Sequence, residues 1–293
     1  MTDRRGNLPY FDFLLEKIAR GDTEMTKAFG RHVHWGYWPD ASRADGSIED
    51  FAEAAEKMSR NVCDAAGVRE GMRVLDAGCG LGGTLASLAD RYRNLALVGL
   101  NIDSRQLRRA RDLVKIGDAH RLAFVTGDAC RLPFADESFD AVVAVECIFH
   151  FPGRSRFLKE AHRVLRPGGL LALSDFVPRV MTIPFLVLMF LFFRRSIEKF
   201  YGTSDVASTL SMYRSRARRA GFSAMVCDNI TANTLPTYDA LRRLDRGTEN
   251  EYEYHARKAN RFLELASRAG WLCYVIITFV RESVAPAGKL PHL

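Results

Sequence analysis

The chain of 293 residues has the composition of an ordinary globular protein, with 47% hydrophobic and 26% charged residues. Its formal net charge is +7, but the arginines are spread along predicted helices without a basic motif interleaved with aromatic residues, so nucleic acid is not an expected partner. The polar N-terminus lacks the apolar core of a secretory signal, and the six scattered cysteines form no C-x-x-C pair. These features indicate a cytoplasmic protein without a disulfide framework or a metal site.

An alternation of helices and strands begins after residue 46. Residues 47–67 predict a helix, because Ser47 is a suitable N-cap, apolar residues recur at helical spacing and Gly67 is a suitable end. The apolar segments that follow have the length of strands buried on both faces. In chain order, the predicted strands are RVLDAG, LALVGLN, LAFVTG, FDAVVAVE and GLLALSDF, with AMVCDNI and CYVIITFV near the end.

This α/β pattern predicts an open, doubly wound, Rossmann-like sheet with helices on both faces. Ligands of such sheets bind at the carboxyl ends of the strands, near the point where the strand order reverses. The sequence DAGCGLGG, residues 76–83, lies at the first of these ends. Gly78 and Gly80 allow the backbone to approach a ligand closely, and the following helix directs free amides toward it. Glycines at this spacing also suit NAD, so the motif alone does not identify the ligand.

Three polar side chains at strand ends narrow the choice of ligand. Asp76 precedes the glycines, where its negative charge opposes a pyrophosphate and favours a ligand that carries an ammonium group. Asn101 ends the second strand and is able to hydrogen-bond a ribose diol. Asp128 follows the third strand, where its carboxylate is able to accept from an exocyclic amine. An ammonium group, a ribose and an adenine amine together describe S-adenosylmethionine.

The chain resembles the class I S-adenosylmethionine-dependent methyltransferases. The resemblance lies in VLDAGCGLGG, GLNIDS, GDACRLPFADESFD and RVLRPGGLLALSDF, which occur in the family's order and spacing and cover about residues 72–176. It implies a seven-stranded sheet with an antiparallel last strand. Asn101 departs from the family pattern, because many members have an acid there. The residues expected to bind the cofactor from these segments and the neighbouring VECIFH are Asp76, Gly78, Cys79, Gly80, Asn101, Ile102, Asp128, Ala129 and Glu146.

The flanking segments are similar to those of small-molecule methyltransferases. FGRHVHWGYW, residues 29–38, is similar to a segment of enzymes that act on tocopherols and sterols, and VECIFHFPGRSRFLKEAHRVLRPGG is similar to sugar O-methyltransferases from macrolide and indolocarbazole pathways. The resemblance implies an N-terminal helical lid over residues 1–46, a core over residues 47–293, and a substrate cap inserted at about residues 178–220. Tyr37 of the lid is expected to reach the cofactor carboxylate, as lid tyrosines do in related families.

A hydroxyl acceptor requires a group that removes its proton, most often a histidine. His150 follows the fourth strand at the cofactor edge of the sheet, and the resemblance to sugar O-methyltransferases assigns it the role of base. Those enzymes often have two adjacent histidines, and Phe149 stands in place of the first. Asp175, at the end of the fifth strand, matches their second catalytic position and is expected to orient His150 or to bind the acceptor. The structural alternative is that His150 caps the next helix and that Asp175 holds backbone.

The segment MTIPFLVLMFLFFRRSIEKFYG, residues 181–202, contains an apolar run over residues 183–193 that Pro184 interrupts. The run has about half of the ~20 residues that a bilayer requires, so a transmembrane helix is not expected. Three interpretations remain: the lining of a hydrophobic acceptor pocket, which the position in the chain favours, ordinary core, or a peripheral contact with a membrane surface.

Two classes of function remain open. The first is an enzyme that transfers a methyl group from S-adenosylmethionine to a hydroxyl oxygen of a hydrophobic small molecule, either a natural product or a lipid-like compound. Within this class, carbon methylation of an isoprenoid or aromatic ring is the alternative. The second class is a non-catalytic, methyltransferase-like protein that binds the cofactor or a partner. The intact cofactor motifs favour the enzyme, and the sequence indicates neither the acceptor nor the oligomeric state.

Overall fold

A seven-stranded sheet forms the centre of the structure, a computed structural model that describes residues 8–202, 205, 207–245 and 251–282. Its strands are β1 (Arg73–Ala77), β2 (Ala96–Asn101), β3 (Arg121–Thr126), β4 (Phe139–Val145), β5 (Leu165–Pro178), β6 (Ala224–Asn229) and β7 (Leu272–Val280). Their order across the sheet is β3-β2-β1-β4-β5-β7-β6. Strands β1 to β5 pair in parallel, whereas β7 is antiparallel to both of its neighbours. The predicted Rossmann-like sheet with an antiparallel last strand is confirmed.

The helices lie on both faces of this sheet and beyond its carboxyl edge. They are α1 (Pro9–Ala19), α2 (Thr23–Phe29), α3 (Ile48–Ala65), α4 (Gly83–Arg91), α5 (Ser104–Leu113), α6 (Arg154–Val164), α7 (Ile183–Tyr201), α8 (Leu210–Ala220), α9 (Thr231–Thr234), α10 (Thr237–Leu244) and α11 (Glu251–Arg268). Helix α3 is the helix predicted for residues 47–67. The Ser47 hydroxyl caps it by accepting from the Asp50 N–H at 3.1 Å.

Alternate residues of the central strands enter two separate hydrophobic clusters, one on each face of the sheet. Val74 and Val143 belong to the first cluster, and their neighbours Leu75 and Val142 belong to the second. All four side chains are fully buried. Because both faces are covered, these strands read as continuous apolar runs, as predicted from the sequence.

Helices α1 and α2 lie within residues 1–46, the segment that the resemblance assigns to a lid, and we call them the lid. Two ion pairs tie α1 to the rest of the protein: Asp12 lies 2.9 Å from Arg105 of α5, and Lys17 lies 3.0 Å from Glu253 of α11. The lid therefore contacts the core on one side and the cap on the other.

The cap draws on two segments of the chain, whereas the sequence predicted one at about residues 178–220. Within that range, α7 covers the carboxyl edge, but α8 packs beside α6 against the sheet. Helix α11, which precedes β7, supplies the other part of the cap, and its Phe262 ring lies 5.8 Å from the Phe193 ring of α7.

Pro184 does not interrupt the apolar segment. It occupies the first turn of α7, where a proline costs no intrahelical hydrogen bond, and the helix continues to Tyr201. In the described part of the chain, the segment Val180–Tyr201 is long and apolar enough to cross a membrane, with a mean hydropathy of 1.8. The expectation of a run too short to span was therefore wrong about length, and the packing of α7 decides its role.

Candidate active site

A cavity lies at the carboxyl ends of β1 to β4, where the strand order reverses between β1 and β4. We call it the strand-end chamber. Tyr10 and Phe11 of the lid form part of its wall. Nine residues predicted to bind the cofactor line it together: Asp76, Gly78, Cys79, Gly80, Asn101, Ile102, Asp128, Ala129 and Glu146.

The two glycines of the first loop are needed for different reasons. Gly78 has a φ of +92°, and a Cβ there would lie 2.7 Å from Sγ of Cys147, so both its conformation and its neighbour exclude a side chain. Gly80 has a φ of +51°, and a Cβ there would come no closer than 4.0 Å to the Phe11 ring of the lid. Gly80 therefore leaves open space below the lid.

Asp76 is the most buried charge of the strand-end chamber, with 1% of its surface exposed. Its Oδ2 accepts no hydrogen bond from the described residues. Burial raises the pKa of this carboxyl from 3.8 to about 7. A buried carboxylate oxygen without a partner is unfavourable unless a ligand satisfies it, and an ammonium group would do so.

The ribose contact expected of Asn101 is better served by a residue that sequence analysis did not select. Asn101 already donates through Nδ2 to Oε1 of Gln106 at 2.8 Å and accepts from the Asp103 N–H at 3.0 Å. Gln106 lines the chamber, and its buried Nε2 has no partner among the described residues. The free donor of Gln106 on α5 and the free acceptor of Asp76 on β1 fit the hydroxyl and ammonium groups of S-adenosylmethionine.

A second, mostly apolar chamber of about 770 Å³ adjoins the first between the lid and the cap. We call it the aromatic chamber. Its volume is that of sites that hold a small organic molecule. The phenylalanines that line it are Phe13, Phe29, Phe51, Phe149, Phe193 and Phe200. Tyr10, Val33, His34 and Glu146 line both chambers and therefore mark the junction between them.

Glu146 stands at this junction in a left-handed backbone conformation, with a φ of +49°. Its Oε2 accepts from the Trp35 N–H of the lid at 2.9 Å and from the Tyr274 hydroxyl of β7 at 2.5 Å. Burial raises the pKa of Glu146 to about 8, although both hydrogen bonds oppose the shift. The carboxyl predicted to bind the cofactor thus also faces the aromatic chamber.

His34 is the other ionisable side chain at the junction, but its ring is fully engaged. Nδ1 lies 3.0 Å from the Trp35 carbonyl oxygen and Nε2 lies 3.0 Å from the Ser59 hydroxyl. Burial lowers the pKa of His34 to about 3, so the ring is neutral at pH 7. It holds the lid in place.

His150 ends a short 3-10 turn, Ile148–His150, and lines the strand-end chamber. Its Nε2 lies 3.4 Å from the Tyr10 hydroxyl, and the two rings stack with their centroids 5.7 Å apart. Since Tyr10 lines both chambers, it connects the imidazole to the aromatic chamber. No motif marks Tyr10 in the sequence, because its role depends on where the lid packs.

The carboxylate of Asp175, which was expected to orient His150 or to bind the acceptor, has three other partners. This fully buried carboxylate accepts from Arg154 at 2.8 Å, from the Tyr213 hydroxyl at 2.5 Å and from the Phe176 N–H at 2.9 Å. Burial raises the pKa of Asp175 to about 6, and the Arg154 charge opposes the shift. Asp175 therefore joins β5 to α6 and α8, which corresponds to the structural alternative.

We expect Asp175→Ala to lower the free energy of unfolding by about 3–5 kcal/mol, because Arg154 would lose its buried partner. Asp205 pairs with the same guanidinium at 2.7 Å but is half exposed, so Asp205→Ala is the matched control with a smaller loss. Urea unfolding measures both losses. A folded, equally stable Asp175→Ala variant with a large loss of kcat would contradict the structural role.

Tyr37 does not line either chamber. Its N–H donates to the Ala54 carbonyl oxygen at 2.8 Å, and its ring packs against the core cluster that contains Trp35. The lid tyrosine that does face the strand-end chamber is Tyr10.

Comparison with known proteins identifies the class. Residues 75–173 match the family described as a methyltransferase domain. The chain is 36% identical over 222 residues to methyltransferase GfsG of Streptomyces halstedii, which covers 74% of this chain and 76% of that protein. The chain therefore belongs to the S-adenosylmethionine-dependent methyltransferases.

Two further comparisons agree with this assignment. The chain is 30% identical over 236 residues to 27-O-demethylrifamycin SV methyltransferase of Amycolatopsis mediterranei, covering 80% of this chain and 82% of that one. The cyclopropane synthase MmaA2 from Mycobacterium tuberculosis shares the fold, with a TM-score of 0.74 at 18% identity over 93% of this chain and 99% of that chain. The protein is thus an enzyme that uses S-adenosylmethionine to methylate a small molecule.

Proposed function

We propose that the enzyme methylates a hydroxyl oxygen of a hydrophobic natural product or lipid-like molecule held in the aromatic chamber. This proposal rests on the junction between the strand-end chamber and the aromatic chamber. There, a chamber whose polar groups match those of S-adenosylmethionine meets an apolar chamber of about 770 Å³ beside Tyr10, and His150 stacks on Tyr10. An acceptor held in the aromatic chamber would therefore reach the strand-end chamber at the junction, close to His150, the proposed base.

The described residues supply binding, orientation and removal of a proton. When bound, S-adenosylmethionine supplies an electrophilic methyl group. Asp76 binds its ammonium group and Gln106 binds its ribose. The aromatic side chains would exclude water and hold the acceptor, and Nε2 of His150 would take its hydroxyl proton. The oxygen would take the methyl group as the S–CH₃ bond breaks, with S-adenosylhomocysteine as the leaving group.

Carbon methylation is the second candidate, and Glu146 favours it. Once ionised, above its pKa of about 8, this carboxyl at the junction would stabilise a carbocation formed on an isoprenoid acceptor. The phenylalanines that line the chamber would add to this stabilisation, because the face of an aromatic ring attracts a cation.

A panel of hydrophobic alcohols, phenols and isoprenoids, each incubated with enzyme and S-adenosylmethionine, separates these candidates. We expect one member to gain the mass of a single CH₂ group and NMR to place the new methyl on oxygen. A methyl group on carbon would replace the first candidate by the second. Cofactor binding without any product from the panel would favour the non-catalytic alternative.

The aromatic chamber is tested by two variants on one helix. Phe193 lines the chamber, whereas Leu188 of the same helix is 58% exposed on the opposite side. Phe193→Ala is expected to raise KM for a water-soluble acceptor by about tenfold or more, because apolar contact in a pocket is lost. Leu188→Ala is the matched control and should leave KM unchanged. Equal effects of the two variants would remove the chamber as the acceptor site.

We also propose a cytoplasmic location and a small-molecule acceptor rather than nucleic acid. All six cysteines are free, and four of them are buried, which suits a reducing compartment. A chamber enclosed by the lid and cap suits a small molecule better than a polymer.

A further inference from the structure

The outer face of α7 is an apolar surface without a partner among the described residues. Phe192 is 79% exposed and Met181 is 85% exposed, and only 11% of the most apolar window of this segment is buried. Isolated exposed apolar residues are common in soluble proteins, but a contiguous set marks an interaction site. We call this set the α7 outer face; its exposed residues are Phe185, Val187, Leu188, Leu191 and Phe192 of α7, with Val180 and Met181 of the 3-10 turn that precedes it.

The inner face of α7 is bound to the protein, so the helix does not span a bilayer. Ser196 lies 3.0 Å from Nδ1 of His255, and the Tyr201 hydroxyl donates to Asn260 at 2.6 Å, both on α11. Leu186 and Ile197 are buried in the same interface. A helix with one face packed and the other apolar and exposed is suited to lie in the plane of a membrane surface.

Positive charges flank the apolar part of this face at both ends. Arg179 is exposed just before it, and Arg194 and Arg195 are exposed just after it. Arg194 pairs with Glu198 at 2.8 Å, whereas Arg195 has no partner among the described residues. At about 1.5 Å per helical residue, the flanking charges are on the order of 20 Å apart along the surface.

Trp271 completes the surface, because its partly buried ring lies 5.6 Å from the ring of Phe185. Tryptophan is enriched where proteins meet the interface between water and lipid. The two other tryptophans, Trp35 and Trp38, are buried far more fully, at 8% and 3% exposure. Trp271 therefore reports on this surface alone.

We propose that the α7 outer face docks the enzyme onto a lipid bilayer that contains anionic headgroups. The apolar side chains would enter the boundary of headgroups and acyl chains, and Arg179, Arg194 and Arg195 would contact the anionic groups. A second copy of the chain fits this face less well. Pairing two such faces brings the arginines of one copy toward those of the other, whichever way the helices run.

Sedimentation with vesicles tests the proposal without any assay of turnover, so its failure is distinct from failure of the proposed function. The protein should sediment with phosphatidylcholine–phosphatidylserine vesicles and much less with phosphatidylcholine alone. Its tryptophan emission should shift to shorter wavelength on binding, and brominated lipids should quench the Trp271 contribution.

Three variants make the assignment specific. The double variant Leu188→Glu, Phe192→Glu should lose vesicle binding about tenfold or more and keep its melting temperature, because both side chains are exposed. Val226→Glu is the matched control, since Val226 is 63% exposed on β6 and should leave binding unchanged. Arg195→Glu should reduce the preference for anionic vesicles.

Three results would overturn the proposal. The first is no sedimentation with either kind of vesicle. The second is equal binding to neutral and anionic vesicles. The third is a concentration-dependent dimer that the Leu188→Glu, Phe192→Glu variant abolishes in the absence of lipid, which would assign the face to a second copy.

Discussion

Replacing His150 with alanine is expected to lower kcat by about 10²–10⁴-fold, the usual contribution of a positioned base. Affinity for S-adenosylmethionine should stay nearly unchanged, because the partners of its ammonium and ribose groups lie on β1 and α5. The variant should also lose the pH dependence that proton removal by His150 gives the wild-type rate.

Tyr10→Phe is the companion to His150→Ala. It keeps the ring that stacks on the imidazole and removes only the hydroxyl that lies 3.4 Å from Nε2. The loss of one hydrogen bond should lower kcat by about tenfold at most. If proximity alone drives the reaction, His150→Ala will have a near-normal kcat and the wild-type pH profile. That outcome would leave His150 as a structural residue at the start of α6.

Replacing Asp76 with asparagine should weaken binding of S-adenosylmethionine by about 100-fold or more, because a buried charge pair loses one member. Titration calorimetry with S-adenosylmethionine and S-adenosylhomocysteine measures this loss. Asp112→Asn on the exposed side of α5 is the matched control with unchanged affinity. Binding of NAD by the wild type, with no response to the adenosyl ligands, would contradict the assignment of the chamber.

The same substitution should change stability in the opposite direction when no ligand is present. The pKa of Asp76 is about 7 in the folded chain and near 3.8 in the unfolded chain. Between these values the folded chain binds more protons, so the free energy of unfolding falls as the pH rises from about 4 to about 7 and is level above that. Asparagine at position 76 does not titrate, so the Asp76→Asn variant does not lose this stability as the pH rises. The ligand-free variant should therefore melt higher than the wild type at pH 8 and show a smaller difference at pH 4.

The strand ends were predictable from sequence because a short apolar run ending in a polar residue fixes where a buried strand meets solvent. Asp76, Asn101 and Asp128 follow such runs, and parallel pairing brings them to one edge. The hydrogen-bonding partner of each of these side chains was not predictable. Asn101 carries the expected amide, but its donor is taken by Gln106, a contact set by how α5 packs on β2.

The acceptor side depends on contacts between distant parts of the chain, which no local pattern encodes. Tyr10 and His150 are 140 residues apart in the sequence. Helices α7 and α11 are in contact although β6 lies between them in the chain. Asp175 illustrates the opposite case. Its position at a strand end matched a catalytic pattern, but Arg154 and Tyr213 take up its carboxylate from helices beside the sheet.

The two ion pairs of α1 have a consequence for the order of events in each catalytic cycle. The strand-end chamber encloses about 120 Å³ with the lid in place, less than the ~300 Å³ of the smallest ordinary ligand sites. Outward movement of helix α1 would enlarge the chamber for a nucleoside, and it would break the contacts of Asp12 with Arg105 and of Lys17 with Glu253. Because Tyr10 moves with α1, the same movement would uncover the aromatic chamber. We therefore expect the spent donor and the methylated product to leave when α1 opens, and since salt screens both ion pairs, we expect opening to become more frequent as ionic strength rises.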